Sequence, residues 1–245
     1  MKQSLFTMEH ARQLTADTYE LVLSGDTSAI TAPGQFVNIQ LPGKFLRRPI
    51  SICNWTKDAL LLLVRVVGEG THDLVRCVPG TELDVLSGLG NGFDLAKGGT
   101  HPILLGGGIG IAPLYGLAQR MLEAGIAPTV GLGFRSGGDA FYLEEFGKLG
   151  CRLMVATEDG SLGTKGFVTD LVRHVPECGY AFVCGPTPML KAVHGLPQLT
   201  GGQFSFEARM GCGFGACMGC SIPTRDGYKR VCKDGPILYK EEIVW

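Results

Sequence analysis

The chain has 245 residues, of which 45% are hydrophobic and 18% charged, and its net charge is −1. This is a globular composition, which excludes a disordered or fibrous chain, and the near-zero charge gives no basis for binding nucleic acid or an anionic membrane. The length suits one large domain or two ordinary ones. Glycine occupies 37 positions, about twice the usual share of roughly 7%. Such an excess points to backbone that must approach ligands closely or take positive φ.

The first thirteen residues, MKQSLFTMEHARQ, lack an apolar core long enough for a secretion signal, so the chain is expected to stay in the cytoplasm. Up to about Gly99 the reading is short strands with turns. Tyr19, Leu21 and Leu23 recur at every second position, and 36–40 and 60–67 are largely apolar or β-branched runs. Pro33-Gly34, Pro42-Gly43 and Pro79-Gly80 mark the turns. Residues 1–99 are therefore expected to form a small antiparallel barrel or sandwich. Within them, Arg48-Pro49-Ile50-Ser51 lies on a predicted strand and Arg65 on another. Gly68-Glu69-Gly70-Thr71 opens a short helix to Cys77, with Thr71 as its N-cap. An arginine and a helix start can together hold a pyrophosphate, although a surface arginine and a tight turn would read the same way.

From about Thr100 to Gly202 the pattern changes to alternating strands and helices. The stretch from Gly98 to Gln119 has no charged residue, but Gly106, Gly107, Gly108 and Gly110 with Pro102 and Pro113 argue against a membrane-spanning helix. It reads instead as a strand (103–105), a glycine loop and a helix stopped at Gly125. Further strands are predicted over 129–134, 152–156 and 181–184, and helices over 139–148, 167–174 and 187–194. Such alternation implies a parallel sheet with ligands at the carboxyl ends of its strands. Gly106 to Pro113 could admit a dinucleotide pyrophosphate, with Pro113 suited to the first helical turn. The third glycine of the usual fingerprint is missing, so a plain strand–helix turn is the competing reading. The next strand ends in Arg135-Ser136 with no acid to bind an adenosine ribose. That leans toward a 2′-phosphate unless Arg135 stacks on adenine or faces solvent, and leaves NAD and NADP both open. Asp159 and Glu207 are further candidates, read equally well as a turn carboxylate and an ion-pair member.

Residues 203–245 are too few for an independent core without a staple. Cys212, Cys217 and Cys220 read C-x4-C-x2-C, and Cys232 adds a fourth thiolate. This is the plant-type spacing of a [2Fe–2S] cluster, with small intervening residues whose amides can turn toward sulfur. Zinc sites more often show two short hooks, and only one is present here. Of the other cysteines, Cys53, Cys77, Cys151 and Cys178 read as small core residues. Cys184 either faces a cofactor or joins them.

These pieces, in this order, resemble the ferredoxin-reductase superfamily, in which an antiparallel FAD barrel precedes a nicotinamide-binding α/β domain. The strings LRRPISI, GEGT, GNGF, GGGIGIAP, CGPTPMLKA and EARMGCGFGAC resemble more closely the electron-transfer subunits of type B dihydroorotate dehydrogenases. The resemblance spans essentially the whole chain. It implies an FAD domain over 1–99, an NAD-binding domain over 100–202 and a [2Fe–2S] domain over 203–245. By motif, FAD would contact Arg48, Pro49, Ile50, Ser51, Leu63, Val64, Arg65, Gly70 and Thr71. The nicotinamide cofactor would meet Gly107, Gly108, Gly110, Cys184, Gly185 and Pro186, and the family implies NAD. Cys212, Cys217, Cys220 and Cys232 would ligate the cluster. The implied partner is an FMN-containing catalytic dihydroorotate dehydrogenase subunit, in a heterotetramer of two of each, with Arg47 free to contact it. Electrons would pass from that FMN through the cluster and FAD to NAD, in pyrimidine biosynthesis. Competing readings are the corresponding subunit of a ferredoxin:NADP oxidoreductase, sulfide dehydrogenase or hydrogenase, and a redox-sensing module that does not turn over nicotinamide.

Overall fold

The computed structural model describes all 245 residues. Strands β1 (Lys2–Gln13), β2 (Thr18–Gly25), β3 (Phe36–Gln40), β4 (Arg48–Trp55), β5 (Ala59–Arg65) and β6 (Glu82–Leu89) close into a barrel in the order β1-β2-β5-β4-β3-β6. Every pairing is antiparallel, so the structure selects the barrel over the sandwich. Alternation drives the closure: Phe6, Met8, Leu21, Leu23, Leu60 and Leu62 are fully buried inside it. Strand β1 is absent from the sequence reading, although Phe6 and Met8 carry its period of two. The short helix α1 (Glu69–Val75) follows β5. Its N-cap is Gly68, not Thr71. Thr71 lies one turn in and reaches back, accepting from the Val67 amide at 2.9 Å and donating to the Gly68 carbonyl at 3.0 Å.

The second unit contains β7 (Ile103–Gly107), α2 (Ala112–Glu123), β8 (Thr129–Phe134), α3 (Leu143–Lys148), β9 (Arg152–Thr157), β10 (Thr164–Lys165), α4 (Val168–Val172), β11 (Tyr180–Cys184), α5 (Thr187–His194) and β12 (Gly201–Ser205). Its strands are parallel. Chain order reverses between β7 and β11, in the sheet order β10-β9-β8-β7-β11-β12, and a strand from the tail completes the sheet beyond β12. The helix expected over 139–148 starts only at Leu143, because Tyr142 takes φ 65°. That turn lets the Tyr142 hydroxyl donate to Glu20 on β2 at 2.6 Å, so a tertiary contact overrides the local helical pattern. Strand β12 straddles the expected boundary between 202 and 203, at the start of the tail unit.

The tail forms a hairpin of β13 (Ser221–Thr224) and β14 (Gly227–Arg230), then returns as β15 (Ile237–Tyr239), antiparallel to β12. The other edge of β15 is taken by Asn91. Its carboxamide donates to the Ile237 carbonyl at 2.8 Å and accepts from the Ile237 amide at 2.9 Å, so one side chain acts as a strand. Around it, Gly90 and Gly92 leave room for Pro236 and Ala32, whose atoms would lie 2.6 and 2.3 Å from an added Cβ. Phe93 stacks edge-on against Phe182 in the sheet core. Barrel, sheet and tail thus meet at Gly90–Phe93.

Two contacts set how the barrel meets the sheet. At Gly116 on α2, a Cβ would lie 2.5 Å from the Cys53 carbonyl oxygen, so the helix rests directly on β4. The second contact is Glu20, held by Arg12 at 3.0 Å as well as by Tyr142. Burial alone would raise the Glu20 carboxyl, but these two partners hold it below the usual range. Its contribution is therefore complete above about pH 4.5 and is lost as the pH falls through its folded-state value. Tyr142→Phe is expected to cost about 1.5–3 kcal/mol at neutral pH, with the difference from wild type shrinking in acid. Urea melts at pH 7 and pH 4 check both parts. Asn91→Leu is expected to cost about 1–3 kcal/mol through two unpaired backbone groups, measurable by the same melts.

Candidate functional site

Three features converge where the units meet. The first is a gap in the barrel. Strands β4 and β5 pair only from Ile52–Trp55 to Leu60–Leu62, so Arg48–Ser51 and Leu63–Arg65 face each other with no ladder between them. This leaves two strand edges whose backbone groups are open to a ligand. At its end, Arg48 lies against α1: a Cβ at Gly70 would sit 1.9 Å from Arg48 Nε. Arg48 hydrogen bonds go only to the carbonyls of Leu46 and Arg47, so its charge has no carboxylate partner. Arg48, Pro49, Ser51 and Thr71 are half-buried around the gap, while Ile50, Leu63, Val64 and Gly70 are buried. Leu63 and Val64 can meet a ligand only through their backbone. Arg47, expected to be free for a partner, is instead bound to Asp84 at 2.8 Å and to the Asn38 and Asp84 carbonyls.

The second feature is a cleft of about 440 Å³ between barrel and sheet, within the size range of small-molecule sites. It opens at the carboxyl ends of β7 and β11, where the strand order reverses. Gly107, Gly108 and Pro186 line it, with Arg65 across from them. Gly110 and Gly185 lie behind this wall and make it possible. A Cβ at Gly110 would be 2.4 Å from the Cys184 carbonyl oxygen, and one at Gly185 would be 2.7 Å from the Met189 sulfur. Cys184 itself is 2% exposed and off the cleft wall, and burial with the nearby Glu207 pushes its thiol up to about 12. Arg135 lines the cleft beside Asp139 and Glu158, whereas Ser136 is turned to Asp139 at 2.8 Å. A 2′-phosphate here would meet two carboxylates, which removes the lean toward NADP. Asp159 is a turn carboxylate, accepting from the Ser161 amide and hydroxyl; its neighbour Glu158 is the acid on the wall. Sequence reading missed Glu158, and also Asp17, which pairs with Arg65 at 2.7 Å. No local motif marks either residue. Glu207 forms no ion pair; burial raises its carboxyl even though part of the side chain reaches solvent.

The third feature is the four tail thiols, which gather as two pairs. Cys220 and Cys232 sulfurs are 3.2 Å apart. Cys212 and Cys217 form the other pair, the Cys217 amide pointing at the Cys212 sulfur at 3.4 Å and the Cys212 amide at the Cys217 sulfur at 3.5 Å. No three His, Cys, Asp or Glu side chains converge to hold a single metal ion. Four thiolates gathered as two pairs suit a two-iron centre. The electrostatics fit the same group. Burial acts to raise the Cys212 thiol, but the amides of Cys217, Phe214 and Ala216 help bring it down to about 6. Burial and then Cys220 push Cys232 up to about 12, a repulsion that cationic iron between the sulfurs would relieve. Cys220 and Cys232 pack with Phe36 and Leu89 of the barrel, and Cys217 lies at the surface. Phe36 is directly opposite Ser51 on β4, so the inner thiol pair packs on the strand next to the gap. Of the remaining cysteines, Cys53 and Cys178 are buried, and Cys77 and Cys151 half-buried.

Comparison with known proteins matches these units. Residues 207–244 match the iron–sulfur cluster binding domain of dihydroorotate dehydrogenase B, and residues 104–195 the oxidoreductase NAD-binding domain. The dihydroorotate dehydrogenase B (NAD(+)) electron transfer subunit of Shouchella clausii (strain KSM-K16) is 41% identical over 256 residues, covering 99% of this chain and 98% of its own length. The chain belongs to the dihydroorotate dehydrogenase B electron transfer subunit family. The family member of Listeria monocytogenes is 39% identical over 254 residues, with 99% of both chains covered. A solved NADH-dependent reduced ferredoxin-NADP oxidoreductase, described for flavin-based electron bifurcation, is 30% identical with a TM-score of 0.90, covering 99% of this chain and 90% of its own.

The close approach at Gly110 gives a direct test of the cleft. Gly110→Ala drives a methyl into backbone that cannot swing aside, and is expected to cost about 1–3 kcal/mol. Thermal melts should show a drop of about 2–4 °C per kcal/mol for a chain of this size.

Proposed function

We propose that this chain carries electrons from an FMN-containing catalytic dihydroorotate dehydrogenase subunit to NAD+, in pyrimidine biosynthesis, within a cytoplasmic heterotetramer of two subunits of each kind. The observation that carries the reading is the pairing of β3 with β4: Cys220 and Cys232 pack with Phe36 of β3, directly opposite Ser51 at the open gap of β4. No helix is long and apolar enough to cross a membrane. When bound, FAD supplies the chemistry that joins the two ends, because flavin exchanges single electrons with an iron–sulfur cluster and a hydride with nicotinamide.

The chain's own residues have separate tasks in this reading. Arg48, without a carboxylate partner, neutralises the flavin pyrophosphate beside Gly70 and Thr71. The free edges of Arg48–Ser51 and Leu63–Arg65 orient the ring by backbone hydrogen bonds. Gly107 and Gly108 admit the NAD pyrophosphate to the cleft, and Glu158 and Asp139 disfavour a further phosphate. Pro186 lines the cleft with Gly110, Cys184 and Gly185 packed behind it, a backing that would fix the nicotinamide end. Cys212, Cys217, Cys220 and Cys232 would hold the [2Fe–2S] cluster, which would supply one-electron transfer. Phe36, Leu89 and Val231 keep water from the inner pair. Two electrons leave each dihydroorotate in the partner, and one NAD+ takes them up as a hydride equivalent.

A second reading, a subunit of a ferredoxin:NADP oxidoreductase, draws on the similarity to the bifurcating enzyme; lower identity and the two carboxylates beside Arg135 weigh against it. The deciding experiment is anaerobic co-purification with the catalytic subunit, followed by assays of dihydroorotate-dependent NAD+ reduction and of iron and FAD content. The expected result is one FAD and two irons per chain and a preference for NAD+ over NADP+. A complex without iron or flavin, or one that does not oxidise dihydroorotate, overturns the reading. Arg48→Ala is expected to lose most of its FAD while the iron content stays, separating the two sites.

A further inference from the structure

Asn38 is a polar residue in an apolar place. It lies on β3, is 1% exposed, and stands directly opposite Pro49 of the flavin strand. Its Nδ2 donates to the Cys212 carbonyl at 3.1 Å, joining residues 174 positions apart in the chain. The residue after Cys212 is shaped to admit it: Gly213 takes φ +78°, and a Cβ there would sit 2.2 Å from Asn38 Nδ2. The other edge of the carboxamide, Oδ1, is buried without a partner. A carbonyl can only accept, so the amide must present its NH2 group to Cys212, and the unpartnered oxygen follows from that orientation. A leucine would fill the same space without burying an orphan acceptor. The asparagine is explained by its directional bond to the loop.

Phe36 and Asn38 divide the seat of the thiols between them. Phe36 packs on Cys220 and Cys232, while the outer pair has Cys217 at the surface and the half-buried Cys212. We propose that Asn38 is a positioning residue for the iron–sulfur cluster, fixing the Cys212 end of the ligand loop to the strand beside the flavin motif. The inference rests on the reading that the four tail thiols hold iron. Without the bond, the backbone at Cys212 gains freedom, its sulfur leaves the ligating geometry more often, and iron is lost sooner.

The test uses the anaerobically purified complex and two variants, Asn38→Leu, which keeps the bulk, and Asn38→Asp, which keeps the shape but at pH 8 cannot donate. Iron release to ferrozine is timed, and the EPR spectrum of the dithionite-reduced cluster is recorded, with FAD content as the check on folding. Both variants are expected to release iron about five-fold faster, the factor of a single net hydrogen bond, with shifted g-values and full FAD. Wild-type release and spectrum in either folded variant overturns the proposal, since the effect would then be packing or charge and not the donor. If Asn38→Leu does not retain FAD, Asn38→Asp decides alone. A wild-type complex without iron overturns the cluster reading itself, an outcome distinct from unchanged release in the variants.

Discussion

The arrangement depends on one side chain standing in for a strand. Asn91 pairs with both backbone groups of Ile237, and through that pairing the tail is held to the linker between barrel and sheet. A tail of about forty residues cannot build a core large enough to set its own orientation. Its thiols are therefore positioned by surfaces it borrows: β12 on one side, Asn91 on the other, and Phe36 and Leu89 beneath. Gln203 repeats the device on the sheet side, exchanging two hydrogen bonds with the backbone of Asp94. Distances between redox groups need tight control, and this junction supplies it with short, directional contacts.

The thiol loop shows how a backbone prepares a site for a charged group. Amides of Ala216 and Cys217 are turned toward the Cys212 sulfur at 3.2 and 3.4 Å, with Gly213 and Gly215 between them at positive φ; Met218, just beyond, takes positive φ as well. Such turns cost conformational freedom and are sustained only where the surrounding structure determines them. Here the return is a thiolate favoured before any metal arrives.

Periodicity and turn residues made most of the architecture legible. The strand at 129–134 and the helix at 187–194 fall where their patterns place them. So does the glycine loop between β7 and α2, because the motif is local and its spacing is dictated by the geometry it must adopt. What the sequence hid is tertiary. Tyr142 breaks a helix to reach a carboxylate 122 positions away. Arg47 looked available but is tied to Asp84, and its neighbour Arg48 is the one left without an acid. The gap between β4 and β5 is likewise invisible in sequence, since it consists of pairing that stops. Glu158 reaches the cleft wall that Arg135 also lines only because the ends of β8 and β9 converge there.

The return strand β15 has a consequence for solubility. A parallel sheet ends in two raw edges, each able to recruit another chain. At one end β10 is only two residues long and carries a lysine, a poor template for pairing. At the other, β15 covers β12. The segment that follows the last cysteine thus also seals the sheet, and a chain cut before residue 237 would expose the β12 edge to aggregation.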